Sequence, residues 1–330
     1  MTRIAEFQLN RSILTDIREN KERYTQLSNE ASSGLKVSNP GDSKFSSSIA
    51  AYRDALARIE GHKSRIANIE GILSFQDNGI SQAGDLLVSA KELATQGANE
   101  TLGAAQRADL AKQVFALRDH MVDLANSQYQ GKFIYNGANN TTAPYTKDTY
   151  AAPASGSESI RYVFSAAAGS TQANSVTIAD NVSVQTNTPG STVFNRAIGA
   201  LEELGRALSG YGTGVNGATG LPDGTGAAYT LPAQATQQTK DIQAAMDAVE
   251  TARQNDILPE RVSLGARLAR LDSARAVMEL TKTDAETALA DMQNVDMAET
   301  ATNLSQAQTA LEASYTVSAR VLKMSILDYI

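Results

Sequence analysis

The stretch Asp296–Ile330, DMAETATNLSQAQTALEASYTVSARVLKMSILDYI, has no Pro and no Gly and carries two apolar stripes at helical spacing. Leu304, Leu311, Tyr315 and Leu322 mark one face; Ala310, Ala313, Val317, Val321, Met324 and Leu327 mark a second face beside it. Two adjoining stripes leave a narrow polar side, so this helix has to be covered from more than one direction. The entropy cost of ordering so long a segment exceeds what burial of its own side chains returns. The other end of the chain offers a partner. Ile4, Phe7, Ile13, Leu14, Ile17, Tyr24, Leu27 and Ala31 trace helical stripes there. The expectation is that the two terminal helices pair with each other and with neighbouring subunits. Ile4, Phe7, Leu14, Ile17, Tyr24, Leu27, Leu304, Leu311, Tyr315, Leu322, Met324 and Leu327 are then the assembly interface.

Between the ends the pattern stays helical. The run around Asn39-Pro40-Gly41 is a break. Beyond it Phe45, Tyr52, Ile59, Ile66, Leu73, Ile80, Leu87 and Ala94 recur every seven residues, the spacing of a helix roughly 75 Å long at 1.5 Å per residue. Four glycines inside it (Gly61, Gly71, Gly79, Gly84) mark either close approach or a bend. After a loop near Gly97–Gly103, Leu110, Val114, Leu117, Met121 and Leu124 predict a helix that ends near Gln130-Gly131. Residues 132–135 then read as a strand before a hairpin-type turn at Asn136-Gly137. From 139 to 235 charge falls away and Thr, Ser, Gly, Asn and Ala dominate. Strands are expected at 160–164, 176–179 and 182–185, and a helix at 193–208. Helical pattern resumes near Thr236 and should stop before Pro259; Leu264, Leu271, Met278, Ala285 and Met292 then repeat at seven.

The fold class expected is mainly α: a long antiparallel helical coiled-coil rod with paired terminal helices and a small inserted β-containing domain. Its divisions are 1–40 with 296–330 for assembly, 41–138 with 236–295 for the helical rod, and 139–235 for the inserted surface domain.

The function classes narrow by exclusion. A net charge of −7 supplies no basic excess to neutralise phosphates, so nucleic acid is not an expected partner. There is no cysteine, hence no disulfide framework and no thiolate metal site. No run approaches a membrane span, and residues 1–20 are charged throughout, unlike a cleaved signal peptide. His62 and His120, the only histidines, and the acidic pair Glu202-Glu203 read as solvated helix positions. Gly212-Thr213-Gly214-Val215-Asn216-Gly217 matches a dinucleotide fingerprint, but a helix precedes it where a strand is required. No enzyme, no cofactor and no metal are expected.

Five blocks carry a resemblance: LSNEASSGLKVSNPGDS at 27–43, KELATQGANETLGAAQRADLAKQV at 91–114, LANSQYQGKFIYNG at 124–137, RVSLGARLARLDSA at 261–274, and the closing LSQAQTALEASYTVSARVLKMSILDYI. In order and content they resemble the bacterial flagellins and their hook-associated relatives. GKFIYNG and the SILDYI ending are more similar to the hook–filament junction branch than to filament flagellin, whereas Gly41-Asp42-Ser43-Lys44 departs from that branch. The resemblance implies an extracellular structural subunit, exported by the flagellar type III apparatus with the help of a chaperone. Its partners would be the first hook-associated protein, flagellin and copies of itself. The other readings are a filament-forming flagellin, or a secreted binding module acting through the 139–235 segment.

Overall fold

The computed structural model describes residues 2–36, 46–149, 160–165, 167–179, 182–212, 228–229 and 235–327, with side chains from residue 11 to residue 320 among them. The break at Asn39-Pro40-Gly41, Gly41–Lys44 and most of the Gly-rich loop lie outside the described residues.

Among the described residues the chain is mainly α. Helices α1 (Thr2–Ser33), α2 (Ser46–Gly97) and α3 (Ala104–Ala125) come first. Six short strands follow: β1 (Gln128–Tyr129), β2 (Lys132–Phe133), β3 (Tyr145–Thr149), β4 (Ile160–Phe164), β5 (Ser175–Ala179) and β6 (Val182–Gln185). They pair antiparallel in three two-stranded sheets, β1 with β2, β3 with β4 and β5 with β6. Then come α4 (Gly190–Val193), α5 (Asn195–Leu208), α6 (Ala235–Ala252), α7 (Leu258–Gln293) and α8 (Met297–Leu327). The contacts divide the chain into two compact units, 1–61 with 278–330, and 62–277.

The second unit holds the larger core. Along α2, Ile66, Ile69, Leu73, Gln76, Ile80, Ala83, Leu87, Ala90 and Ala94 are all buried, at alternating steps of three and four. The heptad read from the sequence is this stripe. Two of the four glycines mark close approach: a Cβ at Gly71 would stand 2.5 Å from the Tyr129 hydroxyl and one at Gly79 3.2 Å from the Tyr135 hydroxyl, while Gly61 has open space around it. At the helix end, one at Gly97 would collide with Leu208. Helix α7 runs antiparallel to this part of α2, tied by Arg275 to Glu70 and by Arg261 to Asp77 at 3.4 Å. Helix α5 packs against both α3 and α6. It buries Ala197, Ile198, Leu201, Leu204 and Leu208, while Phe194 at its N-terminal end meets Tyr135 edge-on at 4.8 Å.

Three local expectations are corrected. Helix α3 ends at Ala125, and Gln130-Gly131 forms the hairpin turn between β1 and β2, with φ of 51° and 78°. Two successive positive φ angles match the strand twist that a two-residue hairpin needs, so Gly131 serves the turn and not a helix cap. Second, the helical path does not stop before Pro259. Residues 253–257 form a π turn that joins α6 to α7, closed by the Leu258 N–H donating to the Arg253 carbonyl. In a regular helix the Pro259 ring would press on the Asn255 carbonyl, and the wider turn relieves that crowding. Third, Glu202-Glu203 is not a solvated pair. Glu202 is buried and accepts from the Tyr162 N–H at 2.9 Å, holding β4 against α5.

Burial pushes the Glu203 carboxyl up to about 7. The folded chain therefore keeps its proton in a range where the unfolded chain, near 4.3, has lost it. Stability should fall as pH rises from about 4.5 to 7 and level off above that. The Glu203→Gln variant should lack this slope in pH-dependent thermal melts.

The first unit contains α1, α8, residues 46–61 of α2 and residues 278–293 of α7. Lys282 meets Glu60 at 3.5 Å, and Ile49, Met278 and Ala285 are buried.

Candidate assembly surface

The terminal helices lie antiparallel. Gly34 ends α1, with φ 73° and its N–H on the Glu30 carbonyl at 2.8 Å, a left-handed C-terminal residue that glycine adopts without strain. The chain there touches the start of α8. The Lys36 N–H donates to the Gln293 carbonyl at 2.6 Å, and the Val295 N–H to the Gly34 carbonyl at 3.1 Å. Asp296 caps α8 by accepting from the Ala298 and Glu299 N–H groups at 2.8 and 3.2 Å. Further along, the Asn20 amide donates to the Ser314 hydroxyl at 2.7 Å.

The fully buried positions of the α1–α8 pair are small or polar. Thr300, Ala307 and Ser318 are the buried residues of the described part of α8, with Leu304 and Leu311 half-buried beside them. On α1 no residue from 11 to 33 is fully buried; Ile17, Tyr24 and Leu27 are half-buried. Large apolar groups stay in the open: Leu14 at 67% exposure, Tyr315 at 50% and Val317 at 54%. Ala310 and Ala313 of the second α8 face are exposed as well. A groove of about 920 Å³ runs along this pair, with Leu14, Ile17 and Tyr315 as apolar lining and Arg18, Lys21 and Glu30 as charged lining. Of the expected interface, Ile4, Phe7, Leu322, Met324 and Leu327 lie on the terminal helices, but their side chains are outside the described residues.

A second apolar surface went unread in the sequence. In the 62–277 unit, Val262 is 75% exposed and Leu258 is 39% exposed. With the exposed Ala269 and Ala276 they share the side of α7 opposite buried Leu264 and Leu271. Val277 and, in the other unit, Leu280 are also exposed. Their spacing was available, but the stronger heptad through Leu264 and Leu271 drew the eye to the inner face.

Among the described residues no group of His, Asp and Glu could hold a metal ion, and no helix is long and apolar enough to cross a membrane. The Arg65 guanidinium donates to the His62 Nδ1 at 2.8 Å, and His120 is exposed.

Residues 4–140 match the bacterial flagellin N-terminal helical region and residues 246–330 match the bacterial flagellin C-terminal helical region. Flagellar hook-associated protein 3 of Escherichia coli (strain K12) is 23% identical over 314 residues, 91% of this chain and 90% of that relative. FlgL of Xanthomonas campestris has a similar fold, with a TM-score of 0.57 at 18% identity over 72% of this chain and 99% of that one. FlgL of Bacillus cereus gives a TM-score of 0.54 at 15% identity, over 72% of this chain and 98% of that one.

Proposed function

The chain belongs to the bacterial flagellin family, and on that premise we propose that it is a structural subunit of the flagellum, the adaptor at the hook–filament junction. One observation carries the assembly part of this reading. The α1–α8 pair covers itself on one side only and leaves Leu14, Tyr315 and Val317 in water. Exposed apolar groups aligned on one element, as on the α1–α8 pair and again on the outer side of α7, mark a surface meant for a partner. The family supplies partners of the right kind: further copies of this chain, a hook-associated protein on one side and flagellin on the other. The junction assignment draws its support from the relative named hook-associated protein 3, which aligns along nine-tenths of its own length.

In this reading residues 1–40 with 296–330 form the assembly domain, 41–138 with 236–295 the helical support, and 139–235 the inserted domain, whose α5 packs into the core of the 62–277 unit. The interface is Ile4, Phe7, Leu14, Ile17, Tyr24, Leu27, Leu304, Leu311, Tyr315, Leu322, Met324 and Leu327. The subunit reaches its place through the flagellar export apparatus with a chaperone holding its terminal helices. It works as an interaction protein without turnover.

Immunogold electron microscopy of intact flagella separates the readings. A single band of label where hook meets filament supports the adaptor. Label along the whole filament would make the chain a filament flagellin instead.

A further inference from the structure

In the 62–277 unit a cleft of about 170 Å³ is lined by residues 68–76 of α2, the β1–β2 hairpin, and Asn140, Asn174 and Asn187. Its walls are fixed from behind: the Asn187 and Asn174 amides both donate to the Gly137 carbonyl, at 2.7 and 3.2 Å. The remaining polar groups are open. The amides of Asn68, Gln130 and Asn140, the Tyr129 hydroxyl and the Lys132 ammonium have no partner among the described residues. Gln76, wholly buried, donates to the Thr186 carbonyl at 3.2 Å and leaves its Oε1 without a partner. Ile72, Phe133 and Ile134 supply apolar lining.

We propose that this cleft binds a single pyranose sugar. At about 170 Å³ the cleft has room for one sugar ring. Side-chain amides and a phenol both donate and accept, which matches hydroxyl groups that do the same. A site for a free ion would present clustered charge, and among the described lining residues Lys132 alone is charged. Ile72 and Phe133 in the lining supply apolar surface for the C–H side of a pyranose. Lys132 adds a preference for a carboxylate on the ring.

Saturation-transfer NMR on the full chain with glucose, galactose, N-acetylglucosamine and glucuronic acid tests this. At least one sugar should show saturable contact through its ring protons, glucuronic acid binding more tightly than glucose at low salt and less distinctly at high salt. The double variant Asn68→Ala/Asn140→Ala, at positions that are exposed and half-exposed, should weaken binding about tenfold or more with an unchanged melting curve. No saturable contact from any of the four sugars overturns the proposal, as does binding that survives the double variant. Resonance shifts at Tyr129–Ile134 that grow with protein concentration and ignore sugar would identify a second copy as the occupant and overturn it too.

Discussion

Val317→Asp and Leu14→Asp, each made alone, leave the melting temperature of the free chain within about 2 °C of the parent and abolish its incorporation into the flagellum. Both side chains are more than half exposed, so in the free chain the new carboxylate stays in water and disturbs little. In an assembly that covers the α1–α8 pair, the same carboxylate would be buried against apolar neighbours without a partner. That costs several kcal/mol, and every 1.4 kcal/mol is about a factor of ten in affinity. Differential scanning calorimetry of the purified chain and motility of cells carrying the variant check the two halves separately. Leu311→Asp is a poorer probe, because Leu311 is half-buried in the seam with α1 and its loss would disturb the free chain as well. Normal incorporation of Val317→Asp would mean that this face stays in water after assembly.

Phe194→Ala produces the opposite pattern, a large loss of stability in the free chain. Phe194 is wholly buried and packs edge-on against Tyr135, whose hydroxyl donates to the Gln76 carbonyl at 3.2 Å. It therefore links the start of α5 to α2. Truncating such a ring costs about 3–5 kcal/mol, since the transfer energy is lost and a cavity stays behind. For a unit of this size the midpoint should drop by on the order of 10 °C. Val163→Ala, at a site 41% exposed, should shift it by less than about 2 °C and serves as the control. Deleting residues 139–235 goes further along the same line. It removes α5 from α3 and α6 and with it the cover that α5 gives both helices. The shortened chain should lose cooperative unfolding of the 62–277 unit.

How much of this the sequence carried depends on the kind of signal. Long single-period stripes were plain: Ile66, Leu73, Ile80, Leu87 and Ala94 are buried as the heptad required, and Leu264 and Leu271 likewise. Strands β4 and β6 fall where apolar alternation put them. Side chains whose burial depends on a distant partner were not legible. Arg118 breaks the apolar pattern of α3, yet it is fully buried. Its guanidinium donates to Asp119 at 2.8 Å and to the Ile160 carbonyl at 3.0 Å, and lies over the Phe115 and Tyr162 rings. Glu202 was read as solvated for the same reason, since its partner is a backbone N–H some 40 positions earlier. The turn at Gln130-Gly131 was assigned to the wrong element because a glycine with positive φ serves a helix end and a hairpin equally well. Strand β3, where no strand was expected, is held by Asn126, whose amide exchanges two hydrogen bonds with the Tyr145 backbone at 2.9 and 3.0 Å. At the assembly surface the terminal stripes showed that cover was needed, and the structure adds which side α1 already provides.

Amide hydrogen exchange, compared between the free chain and assembled flagella, tests the central claim most directly. In the free chain, amides of 11–33 and 297–320 should exchange far faster than those of α3 and α5, and they should become protected once the subunit is in place. Terminal helices as protected in the free chain as α3 and α5, with no gain on assembly, would contradict the claim that their outer faces await a partner.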